Sequence, residues 1–231
     1  MSNPDDVAGL VKQAREAFGP IAILVNNAGI GRPSPVFDNT LADFDATFAA
    51  NVRSAFLVTQ AVRDLNFGRL IFLWSAAAMT GGVISTAYAS SKAAVVGMMH
   101  HYAASLAPWN ITANAISPAF IETDIFAGIE LPPAESPPLG RMGRPDEVAE
   151  VAQMIVNCGF ITGQTIQMNA GRRPPLEPSE RFSAFARPGE TPVRRDQTNA
   201  AAEPLRSSPC LWTKGITTPP IMRGFSRRLN R

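Results

Sequence analysis

The chain has 231 residues, 45% of them hydrophobic, which suffices for one packed domain of ordinary size. No apolar run approaches the roughly 18 residues of a membrane span, and the acidic, polar start Met1-Ser2-Asn3-Pro4-Asp5-Asp6 is unlike a secretion signal. The net charge of +2 hides a split: residues 1–171 hold nine Lys and Arg against fourteen Asp and Glu, a net −5, whereas residues 172–231 hold twelve against five, a net +7.

An amphipathic helix is predicted over 5–18, with Val7, Leu10, Val11, Ala14 and Phe18 at helical spacing. Asn3 can cap it, Pro4 suits its first turn and Gly19 can end it. Ile21 to Val25 is wholly apolar and suits a strand buried on both faces of a parallel sheet. Thr40-Leu41-Ala42-Asp43 resembles a capping box, with Asp in place of Glu. It opens one long helical pattern through Phe44, Phe48, Val52, Phe56 and Val62. Leu70 to Trp74 reads as a second strand, 86–107 as a helix and Ile111 to Ile116 as a third strand. Residues 118–144, rich in Pro and Gly, read as a long loop of the lid type. Pro145-Asp146-Glu147 starts a helix to about Cys158, and Thr165 to Met168 is a last strand. Strands alternating with helices of this length predict an α/β fold with a parallel sheet.

Past Gly171 no period is sustained. Nine of the 20 prolines fall in the last 60 residues, and 172–231 reads as a basic, disordered tail. The tail lacks the aromatic interleaving and ordered basic stripe of a nucleic-acid surface, so no nucleic-acid partner is expected. Cys158 and Cys210 match no metal-ligand spacing and read as free thiols in a reducing cytoplasm.

Four places can carry chemistry. Tyr88 and Lys92 are four apart on a predicted helix, so their side chains share a face. An ammonium that close favours phenolate, so the Tyr88 pKa is expected to fall, which suits proton transfer to or from a carbonyl oxygen. Taken alone, the pair is a weak signal, since Tyr and Lys four apart more often form a surface helix pair. Ser75 lies at a strand end, where parallel sheets bind ligands, and its hydroxyl can meet a developing oxyanion; it can also be a plain loop serine. Asn26-Asn27-Ala28-Gly29 follows the first strand; small residues there admit a ligand close to the backbone, or simply make a turn. Asn51, amid an apolar helix pattern, needs a polar partner: a backbone group, or a water or lysine near Lys92.

The order of these motifs resembles the short-chain dehydrogenase/reductase family. Beyond Asn26 to Gly29, Asn51-Val52, Ser75, Tyr88 and Lys92, the resemblance is carried by Asn114 to Asp124, by Gly140-Arg141 to Glu147-Val148 and by Ile161 to Thr165. It runs from about residue 4 to Arg172 and leans toward 3-oxoacyl-acyl-carrier-protein reductases. It implies hydride transfer between NAD or NADP and a small carbonyl, alcohol or acyl thioester. Tyr88 is implied as general acid/base, Lys92 as its pKa-lowering partner and ribose ligand, Ser75 as the group orienting the carbonyl, and Asn51 as holder of a relay water. Asn27, Ala28 and Gly29 are implied on the adenosine side, and Pro118, Ile121 and Thr123 at the nicotinamide and phosphates. The helices at 41–66 and 86–107 are implied as contacts of a homo-dimer or homo-tetramer.

The chain departs from the family pattern in three ways. The pattern opens with a strand, a glycine-rich phosphate loop and two further strands, none of which is matched, so the expected fold is a Rossmann-type sheet lacking its first βαβαβ portion. The alternative function is then a non-catalytic remnant or subunit. Gly29-Ile30-Gly31 is no substitute, since it lacks the third glycine and no helix opens behind it. Finally, Ala119 and Ala170 stand where the family has Gly, and Trp74 where it has a small residue.

Overall fold

The computed structural model describes residues 2–62, 68–126, 129 and 137–172. The predicted tail from 173 onward lies outside them. The first helix, α1 (Pro4–Phe18), is capped as the sequence indicates: the Asn3 side chain accepts from the Asp5 N–H, and Gly19, at φ 81°, donates to the Arg15 carbonyl. Strand β1 (Ile23–Asn26) follows.

The long helix predicted from Thr40 is not continuous. It divides into α2 (Leu41–Phe48), a π-turn (Ala49–Arg53) and α3 (Ser54–Ala61). At the junction the Ser54 N–H donates five residues back, to Ala49, while its hydroxyl donates to the Ala50 carbonyl. The extra residue swings Asn51 inward, where it is 2% exposed. Such bulges are common at functional sites. The start matches expectation, with Thr40 accepting from the Asp43 N–H.

The remaining elements are β2 (Arg69–Leu73), α4 (Ala77–Thr80), α5 (Thr86–Leu106), β3 (Thr112–Pro118), α6 (Pro145–Asn157) and β4 (Thr165–Met168). The four strands form one parallel sheet in the order β1-β2-β3-β4. This is the expected α/β, Rossmann-type arrangement of strands and flanking helices.

Side-chain alternation divides the core. Leu24, Leu70, Phe72, Ala113 and Ala115 face α1, α3 and α5, joined by Trp74, Val95, Met99 and Tyr102. The alanines of β3 let α5 come close to the sheet. On the other face Ile71, Ile116 and Ile166 meet Ile155 and its neighbours on α6. Buried Asn114 is partnered on both side-chain atoms, donating to the Ile161 carbonyl and accepting from the Gln164 N–H.

The α6 face stops short of β1. Ile23 and Val25, read from sequence as buried on both sides, are 47% and 45% exposed, because no described element covers them there. Ala22 accepts from the Arg69 N–H, so by alternation Ile23 and Val25 turn their amides away from β2.

Two backbone positions yield predictions. Ala170 is held at φ 52°, in the left-handed region that favours glycine. Ala170→Gly is expected to stabilise the fold by about 0.5–1 kcal/mol in urea titration. Gly82 has φ 68°, and a Cβ there would stand 2.6 Å from the Ala77 Cβ. Gly82→Ala is expected to cost about 1–3 kcal/mol in the same titration.

Candidate functional site

The carboxyl ends of β1, β2 and β3 deliver three loops to one place, as in parallel sheets generally. α5 starts beside them. Ser85 caps it by accepting from the Tyr88 N–H, which fixes the first turns that carry Tyr88 and Lys92.

The structure brings Ser75, Tyr88 and Lys92 together. Ser75 accepts from the Ala77 N–H at 3.2 Å and shares a hydrogen bond with the Tyr88 hydroxyl. Tyr88 is only 6% exposed, walled by Ala77, Val83, Ile84, Ile125, Phe126 and Ile129. The Lys92 ammonium donates to the Leu73 carbonyl at 2.9 Å and stands 5.7 Å from the Tyr88 ring centroid.

The electrostatics differ from the sequence expectation. Burial pushes the Tyr88 pKa up, opposed more weakly by the Ser75 hydrogen bond. The Lys92 ammonium stands over the ring and is itself desolvated. Burial brings the Lys92 pKa down to about 8, so the group is still mostly cationic at neutral pH.

Asn51 also departs from expectation. Its side chain donates to the Ile30 carbonyl and to the Ser91 hydroxyl and accepts from the Ile30 N–H. Both amide hydrogens are thereby engaged by the chain itself, so the direct partners are a loop backbone and a serine instead of Lys92. The backbone partner is not a local one: Ile30 lies 21 residues back in sequence.

Asn27, Ala28 and Gly29 are exposed at the end of β1. A Cβ on Gly29 would stand 3.1 Å from Asn51 Oδ1 and 3.4 Å from Lys92 Nζ, so this glycine is needed for close approach. Gly31 likewise lies against Ile84 and Ile125. The partial glycine string is thus explained by packing, without a phosphate.

Pro118 ends β3, its carbonyl accepting from the Ala76 N–H. Ile121 is buried and turned onto Gly143, where a Cβ would come within 2.6 Å of Ile121 Cδ1. Ile121 and Gly143 also form an isolated parallel bridge. Thr123 is exposed and donates to the Ile121 carbonyl. The base of this loop is fixed by Glu147, whose carboxylate accepts from Arg141 through both oxygens and from the Arg144 N–H. Those contacts hold the Glu147 pKa down to about 2, the Arg141 hydrogen bonds foremost.

Sequence reasoning missed Ser91, Gly143 and the apolar wall of Val83, Ile84, Ile125 and Phe126. Ser91 was findable: three residues after Tyr88, it falls on the same helix face. The wall was not, since it joins segments about 40 residues apart.

Known proteins resemble the chain over this same region. The family model described as Enoyl-(Acyl carrier protein) reductase matches residues 1–173. The chain is 37% identical to the BbsD subunit of (2S)-((R)-hydroxy(phenyl)methyl)succinyl-CoA dehydrogenase from Thauera aromatica, over 74% of this chain and 73% of the relative. It is 35% identical to a 3-oxoacyl-(acyl-carrier-protein) reductase of Synechocystis, over 74% and 72%. Among solved structures, a 3-ketoacyl-(acyl-carrier-protein) reductase of Brucella melitensis complexed with NADH matches with a TM-score of 0.70 at 29% identity, over 74% of this chain and 75% of that one. With its parallel sheet and with matches of this extent, the chain belongs to the short-chain dehydrogenase/reductase family of oxidoreductases.

Proposed function

We propose that the chain transfers hydride between a nicotinamide cofactor and a carbonyl or alcohol, with a 3-oxoacyl thioester as the favoured substrate class. One observation carries the reading: at the carboxyl end of the sheet the Tyr88 hydroxyl is hydrogen-bonded to Ser75, and the buried Lys92 cation stands over the Tyr88 ring. In this reading Tyr88 donates a proton to the carbonyl oxygen, or takes one back in oxidation. Ser75 donates a hydrogen bond to the same oxygen and holds it in line. The raised Tyr88 pKa keeps the phenol protonated at neutral pH, the state needed for reduction. Lys92 contributes a fixed positive charge and a donor for a ribose hydroxyl.

Among the described residues the wall of Val83, Ile84, Ile125, Phe126 and Ile129 is apolar throughout, which suits an acyl chain better than a polyol. The relatives that reduce 3-oxoacyl groups support the same choice.

A bound NAD or NADP would supply or accept the hydride. The residues present fit its nicotinamide-ribose end: Gly29 leaves room beside the Lys92 ammonium, and Asn27 to Gly29 are open to solvent. In this reading the loop backbone at Pro118, Ile121 and Thr123 would meet the nicotinamide and its phosphates. Among the described residues no strand-to-helix turn carries a full glycine-rich phosphate loop, so nothing here selects between the two cofactors.

Pairing of two copies across the α2–α3 and α5 faces is part of the proposal. Leu41, Phe44 and Phe56 are exposed there, and Phe48, Val52, Arg53, Phe56 and Met98 line an open apolar hollow of about 310 Å³. Among the described residues no helix is long and apolar enough to cross a membrane.

Oxidation of NADH or NADPH with a short 3-oxoacyl thioester tests the reading. Tyr88→Phe is expected to lower kcat by about 10²- to 10⁴-fold, and Ser75→Ala by about 10²-fold. Turnover that survives Tyr88→Phe, or an unmodified chain with neither turnover nor a cofactor-dependent rise in Tm, would overturn it.

Lys92 gives a prediction with a definite sign. Its pKa falls from 10.5 unfolded to about 8 folded, so holding it charged opposes folding below pH 8. That penalty, on the order of 3 kcal/mol before the hydrogen bond to Leu73 is counted, fades between pH 8 and 10.5. Lys92→Met is therefore expected to stabilise the fold at pH 7 by about 2 kcal/mol while activity is lost. Its advantage in urea titration should shrink steadily from pH 8 to 10.

A further inference from the structure

The Ser91 side chain is fully buried, and its hydroxyl makes two bonds that the mechanism above does not use. It donates to the Tyr88 carbonyl at 2.8 Å and accepts from Asn51 Nδ2 at 2.9 Å. Asn51 in turn grips both backbone groups of Ile30, with its Oδ1 2.7 Å from the Ile30 nitrogen and its Nδ2 3.0 Å from the Ile30 oxygen. Four groups from three chain segments thus form one unbroken line: the loop after β1, the π-turn and the first turns of α5.

The line has no slack. Asn51 has spent both hydrogens on Ile30 and Ser91 and accepts from the Ile30 N–H, and the Ser91 hydroxyl donates once and accepts once. The π-turn is what brings Asn51 to the right depth. Each end of the line meets the candidate site. On one side Gly29, next to Ile30, leaves a gap beside the Lys92 ammonium that a Cβ would narrow to 3.4 Å; on the other the carbonyl belongs to Tyr88 itself.

We propose that Ser91 is a positioning residue: through Asn51 it couples the loop that follows β1 to the helix turn that orients the Tyr88 phenol. A ligand that settles on 27–31 then fixes Tyr88 without touching it. The inference rests on Tyr88 as the proton-transfer group, but its test needs no turnover.

The chain has only two tyrosines, so a Tyr102→Phe background leaves Tyr88 as the single phenol. Its ionisation is then read from tyrosinate absorbance. Ser91→Ala should let water reach the phenol and move its pKa down toward the ordinary value of 10.0, with the circular dichroism unchanged. Ser91→Thr, which restores a hydroxyl, should return the titration to that of the background protein. Amide exchange supplies a second readout: the Ile30 N–H, protected in the unmodified chain, should exchange about tenfold faster in Ser91→Ala. Identical Tyr88 titrations with and without the Ser91 hydroxyl would overturn the coupling. So would an Ile30 amide in the unmodified chain that exchanges as freely as its exposed neighbours, a measurement independent of whether any variant folds. Loss of the catalytic reading alone would show instead as turnover retained by Tyr88→Phe.

Discussion

A single buried cation shapes the site. Lys92 is 6% exposed, with its ammonium held at the end of β2. A charge so placed is costly unless its hydrogens are received and its surroundings polarised. The Leu73 carbonyl receives one hydrogen, the face of Tyr88 lies beside the charge, and the absent side chain of Gly29 leaves space next to it. Substituting any of these neighbours changes the environment of the ion before it changes anything else.

The scaffold meets that demand by ordinary means. Parallel strands set Asn26, Phe72 and Ala115 side by side, so the loops after β1, β2 and β3 leave from one edge of the sheet. The small residues of β3 let α5 lie low enough for Lys92 to reach the end of β2. The π-turn supplies an amide where a regular helix would have carried it past. On the far side Arg141 and Glu147 fasten the base of the long loop whose Ile125 and Phe126 wall the phenol.

Much of this was legible in the sequence, for identifiable reasons. β4 and α6 fell where short-range signals placed them, because Thr165 to Met168 is bounded by turns and Pro145 starts a helix unambiguously. Ser75, Tyr88 and Lys92 were recognisable as a set because strand ends and helix spacing converge on them. The π-turn was not legible, since one inserted residue leaves the apolar spacing of Phe48, Val52 and Phe56 nearly intact. The direction of the Tyr88 pKa was misread because proximity along a helix says nothing of burial, which is the largest influence here. Ile121 turned to Gly143 because the loop folds back on itself, a contact 22 positions long that no local rule encodes.

The bare flank of β1 has a consequence for how the molecule behaves among its neighbours. From Pro20 to Asn27 there is no ionisable side chain, and the outward amides of Ile23 and Val25 are accompanied by half-exposed aliphatic groups. Strands left this way usually carry a lysine, a bulge or a proline to discourage lateral growth. Among the described residues β1 itself, Ile23–Asn26, carries none of these. A lysine in place of Val25 would put a charge among those aliphatic groups and act there as a gatekeeper.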